Sequence, residues 1–448
     1  MENEKKNSDN SNSVFLKGLV IFILVIVLLI PTFLIQSLIS EREARQKEAV
    51  YEVSSKWGSS QTLSGPILSI PYIEYYKDTY NNLKKETRFA HFLPDELTIN
   101  GEVLPEKRYR GIYEIVVYNS TLNVKGKFNP KDFVIPDVAV ENIMYNKAFL
   151  SFGVSDLRGL EKQIDLKWNE KLTQFNPGVE TADVISSGIN APIEISAPLP
   201  SELDSSLIPE INFSFNLSLK GSERLSFVPV GKETNIDISS KWSDPSFDGA
   251  FLPDERTIDA NGFKAHWNVL NLNRNFPQSW TGNRFSIESF SFGVNLIVPA
   301  DNYQKSTRSV KYAILIILLT FVVFFFVEFL NNKRVHPFAY GLVGAALCIF
   351  YVLLISLSEY MSFTYAYLTG AIMTILLITI YIHSILKSFK LSTLISSVLI
   401  LLYAFIFTII QIQDYSLLMG SIGLFLVLAI LMYFSRKIDW YGTNKKEI

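Results

Sequence analysis

Six apolar segments constrain this chain of 448 residues more than any other feature of its sequence. One lies at residues 18–38, and the other five crowd into residues 311–435, at about 311–330, 337–357, 364–385, 391–412 and 415–435. Each is roughly 20 residues long, which lets a helix cross a hydrocarbon core of about 30 Å. The sequence therefore predicts an integral membrane protein with one N-terminal transmembrane helix and a C-terminal bundle of five.

The first apolar segment is predicted to stay in the protein as a signal anchor. Only Pro31 and Thr32 interrupt its apolar run from Gly18 to Ile35, and Lys5, Lys6 and Lys17 precede it. A cleavable signal peptide has an apolar core of about 7 to 15 residues, with small residues at the cleavage site. Because this segment is longer, it is interpreted as the first transmembrane helix.

The short loops predict the orientation, since Lys and Arg are retained on the cytoplasmic side. With the N-terminus inside, the two short outer loops hold Glu359 and Asp414 and no Lys or Arg. The cytoplasmic segments then hold Lys5, Lys6, Lys17, Lys333, Arg334, Lys387, Lys390, Arg436, Lys437, Lys445 and Lys446. This predicts cytoplasmic termini at 1–17 and 436–448 and a domain at 39–308 that faces the outer side of the membrane.

A second set of basic residues runs against this orientation. They flank the long polar region on both sides: Arg42, Arg45, Lys47, Lys305, Arg308 and Lys311. Long translocated domains largely escape the charge rule, so the predicted orientation stands.

The segment just after the first span is predicted to be helical. Glu41 and Arg45, and Glu43 and Lys47, stand at the i,i+4 spacing of helical ion pairs within residues 40–53. We therefore expect the first helix to continue beyond the membrane.

Beyond Trp57 the hydrophobic pattern changes to a period of two. Apolar and polar residues alternate from Ile211 to Lys220, which is typical of a half-buried strand, and Gly111 to Phe128 is similar. Pro and Gly interrupt such runs repeatedly, which indicates many short strands between turns. The polar region is therefore predicted to be mainly β. Its stability must come from core packing, because the only cysteine, Cys348, lies in an apolar segment.

Three short stretches recur in the same order within this region. They are Ser-Ser-Lys-Trp at 54–57 and 239–242, Phe-Leu-Pro-Asp-Glu at 92–96 and 251–255, and Ser-Phe-Gly-Val at 151–154 and 291–294. Their order predicts an internal duplication with units at about 54–160 and 211–298. The matches mark either equivalent corners, where Pro and Gly suit the turn, or a duplicated binding surface.

The standard motifs of hydrolases, NTPases and metalloproteases are absent from the sequence. The four histidines, His91, His266, His336 and His383, form no His-Glu-x-x-His pair, and no nucleophile elbow, phosphate loop or dinucleotide fingerprint is present. His91 and His266 do not match between the repeats, so they are interpreted as surface or strand-end residues and not as a duplicated metal site. No catalytic, cofactor-binding or metal-binding residue is predicted, and the protein is not expected to be an enzyme.

The near balance of 41 basic and 43 acidic residues excludes nucleic acid as a partner, because nucleic-acid binding needs a basic surface. An intramembrane serine hydrolase is excluded by depth. Ser356 and Ser358 lie at the outer end of the third span and His383 near the inner end of the fourth, which separates them by about 30 Å at about 1.5 Å per residue.

Two further features of the spans predict packing contacts. Glu328 lies near the inner face, where it is expected to snorkel or to pair with Lys333, Arg334 or His336. The small residues Gly341 and Ala345 on the third span are expected to let a neighbouring helix approach closely.

Several stretches resemble the CreD family of bacterial inner-membrane proteins. They are residues 40–45 (Ser-Glu-Arg-Glu-Ala-Arg), Trp57-Gly58, residues 61–67 (Gln-Thr-Leu-Ser-Gly-Pro-Ile), Arg110-Gly-Ile-Tyr113, Ser155-Asp-Leu-Arg-Gly159, Pro245-Ser-Phe247, Tyr303-Gln-Lys305, Lys311-Tyr312, His336-Pro337 and Leu357-Ser-Glu359. The resemblance implies location in the bacterial inner membrane, with the domain at 39–308 in the periplasm. It also implies a role in cell envelope integrity, with links to envelope stress, colicin tolerance and the two-component response to β-lactams. It supplies no catalytic residue.

Two functions follow as hypotheses. In the first, the periplasmic domain binds an envelope component or a periplasmic or membrane protein, while the spans anchor it in the lipid bilayer. In the alternative, the bundle transports a substrate or handles lipid. The alternative has less support, because the five C-terminal spans show no inverted repeat or paired broken helices.

Overall fold

The structure is a computed structural model, and it describes residues 2–195, 209–296, 302–331, 333–412 and 415–436. The chain forms two compact units, one of Met1–Gln46 with Ala300–Ile448 and one of Lys47–Pro299. We call them the helix unit and the β unit. An apolar N-terminal helix, a β-rich middle region and apolar C-terminal helices confirm the predicted fold class.

Helix α1 covers Glu2–Trp57, so the first span continues into the helix that was predicted for residues 40–53. Pro31 lies inside α1 and cannot donate to the helix ladder. The hydroxyl of Thr32 next to it donates to the carbonyl of Leu29 at 2.7 Å. The predicted pair of Glu41 and Arg45 also forms, at 2.7 Å.

The C-terminal helices in the described part of the chain are α2 (Asn302–Lys311), α3 (Ala313–Leu330), α4 (Pro337–Ser358), α5 (Phe363–Leu386), α6 (Phe389–Gln411) and α7 (Ser416–Ser435). Helices α3 to α6, together with α1, are long and apolar enough to cross a membrane. The predicted fifth C-terminal span corresponds to α7, where the described apolar stretch, Leu418–Ile430, is shorter. Helix α2 belongs to the helix unit, although its residues were predicted within or beside the periplasmic domain.

Helix α1 packs closely against α4 at two glycines. A Cβ at Gly344 would collide with Leu28, and a Cβ at Gly341 would touch Leu24. Ala345 is exposed. The predicted close approach therefore involves Gly341, but its second member is Gly344 and not Ala345, because positions i and i+3 both face α1.

The β unit holds strands β1 (Gln61–Lys77), β2 (Leu83–Phe92), β3 (Glu96–Arg110), β4 (Tyr113–Phe128), β5 (Phe149–Val154), β6 (Asp165–Trp168), β7 (Lys171–Gln174), β8 (Asn176–Pro177), β9 (Gly188–Pro192), β10 (Ile211–Ser222), β11 (Arg224–Val228), β12 (Glu233–Ser240), β13 (Pro245–Gly249), β14 (Glu255–Asp259), β15 (Gly262–Leu270), β16 (Ser279–Thr281) and β17 (Phe292–Leu296). They form two sheets. The nine-stranded sheet has the order β13-β17-β11-β1-β5-β9-β8, with β2 pairing β1 and β16, and the eight-stranded sheet has the order β14-β15-β12-β3-β4-β10-β6-β7.

One continuous apolar core holds the β unit together, to which both sheets contribute. Strand β10 shows how the sequence produces it: Phe213, Phe215 and Leu217 are buried, while the polar residues between them point outward. The period-two pattern thus selects one face of each strand for the core, as predicted.

Two of the three repeated stretches occupy equivalent places. Ser-Phe-Gly-Val lies on β5 and on β17, where Gly153 is opposite Ser64 and Gly293 is opposite Ser226. Both Phe-Leu-Pro-Asp-Glu stretches connect a strand of the nine-stranded sheet to one of the eight-stranded sheet. The two halves join through parallel pairs, β1 with β11 and β3 with β12.

The third repeated stretch is not part of the duplication. Residues 54–57 end helix α1 before β1, whereas residues 239–242 end strand β12 and continue into a turn. Four residues of polar and aromatic type suit both a helix end and a strand end, so this match in sequence was misleading.

Candidate functional site on the open sheet face

The eight-stranded sheet presents a polar outer face. Opposed residues of paired strands point to the same face. One row crosses six strands and consists of Asn216, Asn123, Asn100, Asp237, His266 and Glu255. The neighbouring row consists of Ser214, Lys125, Thr98, Asn235 and Asn268. Polar groups therefore stand about 4.8 Å apart along each row.

Hydrogen bonds between neighbours fix many of these side chains. The amide of Asn123 donates to Asn216 Oδ1 at 2.8 Å, and the amide of Asn268 donates to Asn235 Oδ1 at 2.7 Å. His266 Nδ1 lies 2.8 Å from Asp237 Oδ1. An array held in this way loses little side-chain entropy when a ligand binds.

Two open grooves lie on this face. One, of about 600 Å³, is bordered by Lys125, Lys127 and Asn212, and the other, of about 460 Å³, by Asp237, Lys264 and His266. Lys127 is neutralised by Glu96 at 2.8 Å and by Glu210 at 3.2 Å. Bonding to these two carboxylates raises the pKa of Lys127.

The chemistry of the face is that of hydrogen bonding rather than stacking. Among the outward positions of the two rows there is no Phe, Tyr or Trp. Asn100 is exposed, and its amide has no hydrogen-bond partner within the described residues. Sequence reasoning missed this face because it used only the apolar half of the period-two pattern. The Asn-rich polar half of residues 211–220 was the available signal.

His91 lies next to the end of strand β2, which agrees with the predicted strand-end position, but it is buried and is not a surface residue. It is 1% exposed, and its Nδ1 lies 2.9 Å from Ser69 Oγ while its Nε2 lies 3.4 Å from Asp183 Oδ2. Burial lowers the pKa of His91, although Asp183 opposes the shift. Ser69, His91 and Asp183 are the residue types of a hydrolytic triad, but Ser69 is only 2% exposed and borders neither of the two grooves described above.

Several residues of the family motifs meet where α1 ends and β1 begins. The buried amide of Gln61 donates to the carbonyls of Asp156 at 2.9 Å and Lys220 at 3.1 Å. The Asp156 carboxylate accepts from the backbone of Ser59 at 2.9 Å and from Arg158 at 2.8 Å. Arg158 beside it holds the pKa of Asp156 well below its ordinary value. This junction fixes the end of α1 to the β unit.

Trp57 completes the junction. Its ring makes two cation–π contacts, with the Arg108 guanidinium at 4.9 Å and the Lys220 ammonium at 4.8 Å from the ring centroid. Gly58 follows with φ of +147°, and the carbonyl of Lys220 approaches it so closely that a side chain would need the backbone to move. The motif Trp57-Gly58 is thus explained by packing.

In the helix unit, Glu328 pairs with Lys17 and not with Lys333, Arg334 or His336 as predicted. Its carboxylate also accepts from the backbone of Val335 at 2.8 Å and from the Tyr340 hydroxyl at 2.9 Å. Lys17 donates a second bond to the carbonyl of Val335 at 3.0 Å. The sequence could not indicate this pair, because its members are separated by most of the chain.

At the other end of the helix unit, residues from three of the motifs that resemble the CreD family meet at Glu359. Arg42 lies 3.7 Å from it, and the Tyr303 hydroxyl donates to it at 3.3 Å. The amide of Asn302 donates to the carbonyl of Ser358 at 2.8 Å. Three of the motifs that carry the family resemblance therefore supply polar contacts between helices of the helix unit.

The remaining histidines and the cysteine form no recognisable site. His383 Nδ1 lies 3.3 Å from Ser392 Oγ, and His336 Nδ1 accepts the backbone N–H of Phe338 at 3.2 Å as a helix cap. Cys348 is free and buried. Within the described residues, no three His, Cys, Asp or Glu side chains come together in a way that could hold a metal ion.

Comparison with known proteins places these features in a family. The model of the family described as inner membrane protein CreD matches residues 13–441. The inner membrane protein CreD of Escherichia coli (strain K12) is 33% identical over 434 residues, which cover 96% of this chain and 94% of that protein. The chain therefore belongs to the CreD family of inner membrane proteins.

Proposed function

We propose that this protein supports cell envelope integrity by binding an envelope component through the polar face of its β unit. In this proposal it is not an enzyme, and the helix unit anchors the β unit in the inner membrane. The observation that carries the proposal is the row from Asn216 to Glu255, a fixed array of amide, carboxylate and imidazole groups that is open to solvent.

The chemistry of the face favours a polyhydroxylated polymer, such as a glycan strand of the cell wall. Planar amides and carboxylates at fixed spacing can each donate to or accept from a sugar hydroxyl. The grooves carry both signs of charge, so a strongly charged ligand would meet repulsion as well as attraction. Such a role fits an expected involvement in envelope stress, colicin tolerance and the response to β-lactams.

Sedimentation with purified cell-wall sacculi tests this proposal. The full-length protein in nanodiscs is mixed with sacculi, and the pelleted fraction is measured for the native chain and for Asn100→Ala/Asn123→Ala/Asp237→Ala. The triple variant is expected to pellet at least about tenfold less, since each lost hydrogen bond is worth about 1 kcal/mol. Asn176→Ala, an exposed amide on β8, is the matched control.

If the native chain and the triple variant both pellet, and to the same extent, the proposal is contradicted. If neither pellets, crosslinking in cells from position 100 tests the protein-partner form of the same proposal. A partner that crosslinks from position 100 but not from position 176 would replace the glycan as the ligand.

The proposed orientation has both termini in the cytoplasm and the β unit in the periplasm. The charge asymmetry of the short loops supports it. Reporter fusions at Asn119, Glu359 and Asp414 are expected to be periplasmic, and fusions at Asn332 and Lys387 cytoplasmic. Asn332 and Asp414 lie outside the described residues. A cytoplasmic signal at Asn119 would overturn the orientation.

One observation favours the alternative function of transport or lipid handling. The hydroxyls of Ser306, Ser309, Thr320, Tyr351 and Tyr403 are buried in the helix unit without a partner in the described residues. Buried hydroxyls of this kind are satisfied by water or by a polar ligand. Substrate flux in proteoliposomes that persists in the Asn100→Ala/Asn123→Ala/Asp237→Ala variant would favour this alternative.

A further inference from the structure

Helix α2 has two chemically different sides. Tyr303, Ser306 and Val310 are buried, at 8%, 0% and 6% exposure. Lys305, Arg308 and Lys311 stand at i, i+3 and i+6, which places them along one strip of the helix away from the buried side. Lys305 and Arg308 are partly exposed, and Lys311 is exposed.

The basic strip lies where the helices of the helix unit end. Lys305 is 5.9 Å from the ring centroid of Phe363, the first residue of α5, and Arg308 donates to the carbonyl of Ile409 near the end of α6 at 3.3 Å. The apolar helix α3 begins at Ala313, two residues after the strip. Residues that follow or precede a transmembrane segment so closely lie at the level of the lipid headgroups.

The other cations at this end have carboxylate partners. Arg42 lies 3.7 Å from Glu359, and Arg45 lies 2.7 Å from Glu41. Among the described residues, no carboxylate forms an ion pair with Lys305, Arg308 or Lys311. Asp301, which precedes α2 in the sequence, carries one negative charge and could neutralise only one of the three.

These cations also oppose the charge rule that the short loops obey. Three adjacent positive charges at a membrane boundary repel one another unless an anion neutralises them. The anion present at this depth in every bilayer is the phosphate of a phospholipid headgroup, for which Arg and Lys are the preferred ligands.

We propose that Lys305, Arg308 and Lys311 form a binding site for the headgroup of an anionic phospholipid. We assign the ligand to a lipid of the surrounding bilayer, because the strip adjoins the apolar surface that the acyl chains would contact. On this surface, Ile314 and Leu318 of α3 are 45% and 44% exposed. Lipid bound here would hold α2 at the membrane surface and would neutralise charges that otherwise disfavour this end of the helix unit.

Native mass spectrometry of the full-length protein in detergent tests the site. Phosphatidylglycerol and phosphatidylcholine are titrated separately into the native chain and into Lys305→Gln/Arg308→Gln/Lys311→Gln. The native chain is expected to bind phosphatidylglycerol more tightly than phosphatidylcholine. The triple variant is expected to lose about 100-fold in affinity for phosphatidylglycerol, since each basic residue near a lipid surface contributes about fivefold.

A matched control removes cations from the same unit outside α2, as Lys333→Gln/Arg334→Gln/Lys390→Gln. An equal loss in the control variant, or no loss in the α2 variant, would overturn the site. Equal binding of the two lipids would overturn the preference for an anionic headgroup, and full displacement by inorganic phosphate would reassign the site to free anions. Both triple variants are first shown by gel filtration and thermal unfolding to fold as the native chain does. If the α2 triple variant fails this check, Lys311→Gln alone, the exposed member, must show about a fivefold loss.

Discussion

The two units of this protein place polar and apolar side chains in opposite ways. In the β unit, apolar residues fill the interior and the sheet presents rows of Asn, Ser and Thr to the outside. In the helix unit, Ile380 and Phe338 are 70% and 67% exposed, while Ser306 and Tyr351 are buried. The difference shows that each unit is arranged for its own solvent, water for one and lipid for the other.

Buried charge is handled differently as well. In the helix unit the buried Glu328 has an ion-pair partner in Lys17. In the β unit Arg274, which is 8% exposed, has no carboxylate partner in the described residues and donates to the carbonyls of Val230 at 3.1 Å and Phe276. Burial lowers the pKa of Arg274 to about 10. The buried guanidinium of the β unit is thus held by neutral acceptors, backbone carbonyls and the Gln278 side chain, whereas the buried carboxylate of the helix unit is held by an opposite charge.

The largest expected effect compares the interior of the β unit with that of the helix unit. Phe92 is 2% exposed and packs 5.3 Å from Phe133, so Phe92→Ala is expected to destabilise the β unit by about 3 to 5 kcal/mol. Phe350 is fully buried in the helix unit. Phe350→Ala should reduce the free energy of unfolding by less, because the side chain is still surrounded by lipid in the unfolded reference state. Chemical denaturation of the full chain, followed by tryptophan fluorescence and circular dichroism, measures both.

Equal losses for Phe92→Ala and Phe350→Ala would break the comparison. Phe251, the repeat counterpart of Phe92, is only partly buried although it packs 5.6 Å from Phe292. The expected loss for Phe251→Ala is therefore smaller, about 1 to 2 kcal/mol, because less apolar area is removed from water at this position.

The second expected effect tests the ion pair of the helix unit. Glu328→Gln leaves the Lys17 ammonium without its counter-charge, and we expect a loss of about 2 to 3 kcal/mol. This expected loss is smaller than the loss for a fully buried ion pair, because the Lys17 side chain is 25% exposed. Thermal unfolding in nanodiscs measures it. Lys17→Met/Glu328→Gln should recover most of the loss, and failure of this double variant to do so would refute the role of the pair.

The third expected effect is a pH dependence confined to the β unit. Burial holds the pKa of His91 below its ordinary value of 6.5. Just below that pH, His91 therefore binds a proton in the unfolded chain but not in the folded chain. Stability should therefore fall as the pH drops below about 6.5, by at most about 1.4 kcal/mol per pH unit. His91→Gln should flatten this slope. Identical slopes in the native chain and in this variant would show that another group is responsible.

The smallest expected effect distinguishes the two equivalent corners. Asp254 Oδ2 accepts the backbone N–H of Asn268 at 2.7 Å, so Asp254→Ala should cost about 0.5 to 2 kcal/mol. Burial raises the pKa of Asp95, so its ionised form disfavours folding above the ordinary carboxyl range. Asp95→Ala should therefore cost less at pH 7 than Asp254→Ala. The reverse order in urea denaturation would contradict this assignment.

The features that the sequence predicted well depend on local pattern. Apolar length predicted the spans, and the period of two predicted β10 and β4, because the side-chain direction of a helix or strand repeats within a few residues. The N-terminal helix at residues 40–53 followed from charge spacing for the same reason.

The features that the sequence missed depend on distant partners. Nothing near Lys17 indicates Glu328, and nothing near His91 indicates that Ser69 and Trp280 would enclose it. The repeat of Ser-Ser-Lys-Trp was misleading because four residues do not determine whether they end a helix or a strand. Similarly, Asn216, Asn123 and Asn100 became a candidate site only when sheet pairing brought them into one row.

The parallel pairing of the two halves has a consequence for biogenesis. Residues Gln61 to Ser64 pair with Leu225 to Val228, and β3 pairs with β12, so neither sheet can be completed until the second half of the β unit has been synthesised. Until then, the edges of β1 and β3 expose unpaired backbone, which invites aggregation. We expect the nascent first half to depend on holding chaperones until the second half is available for pairing.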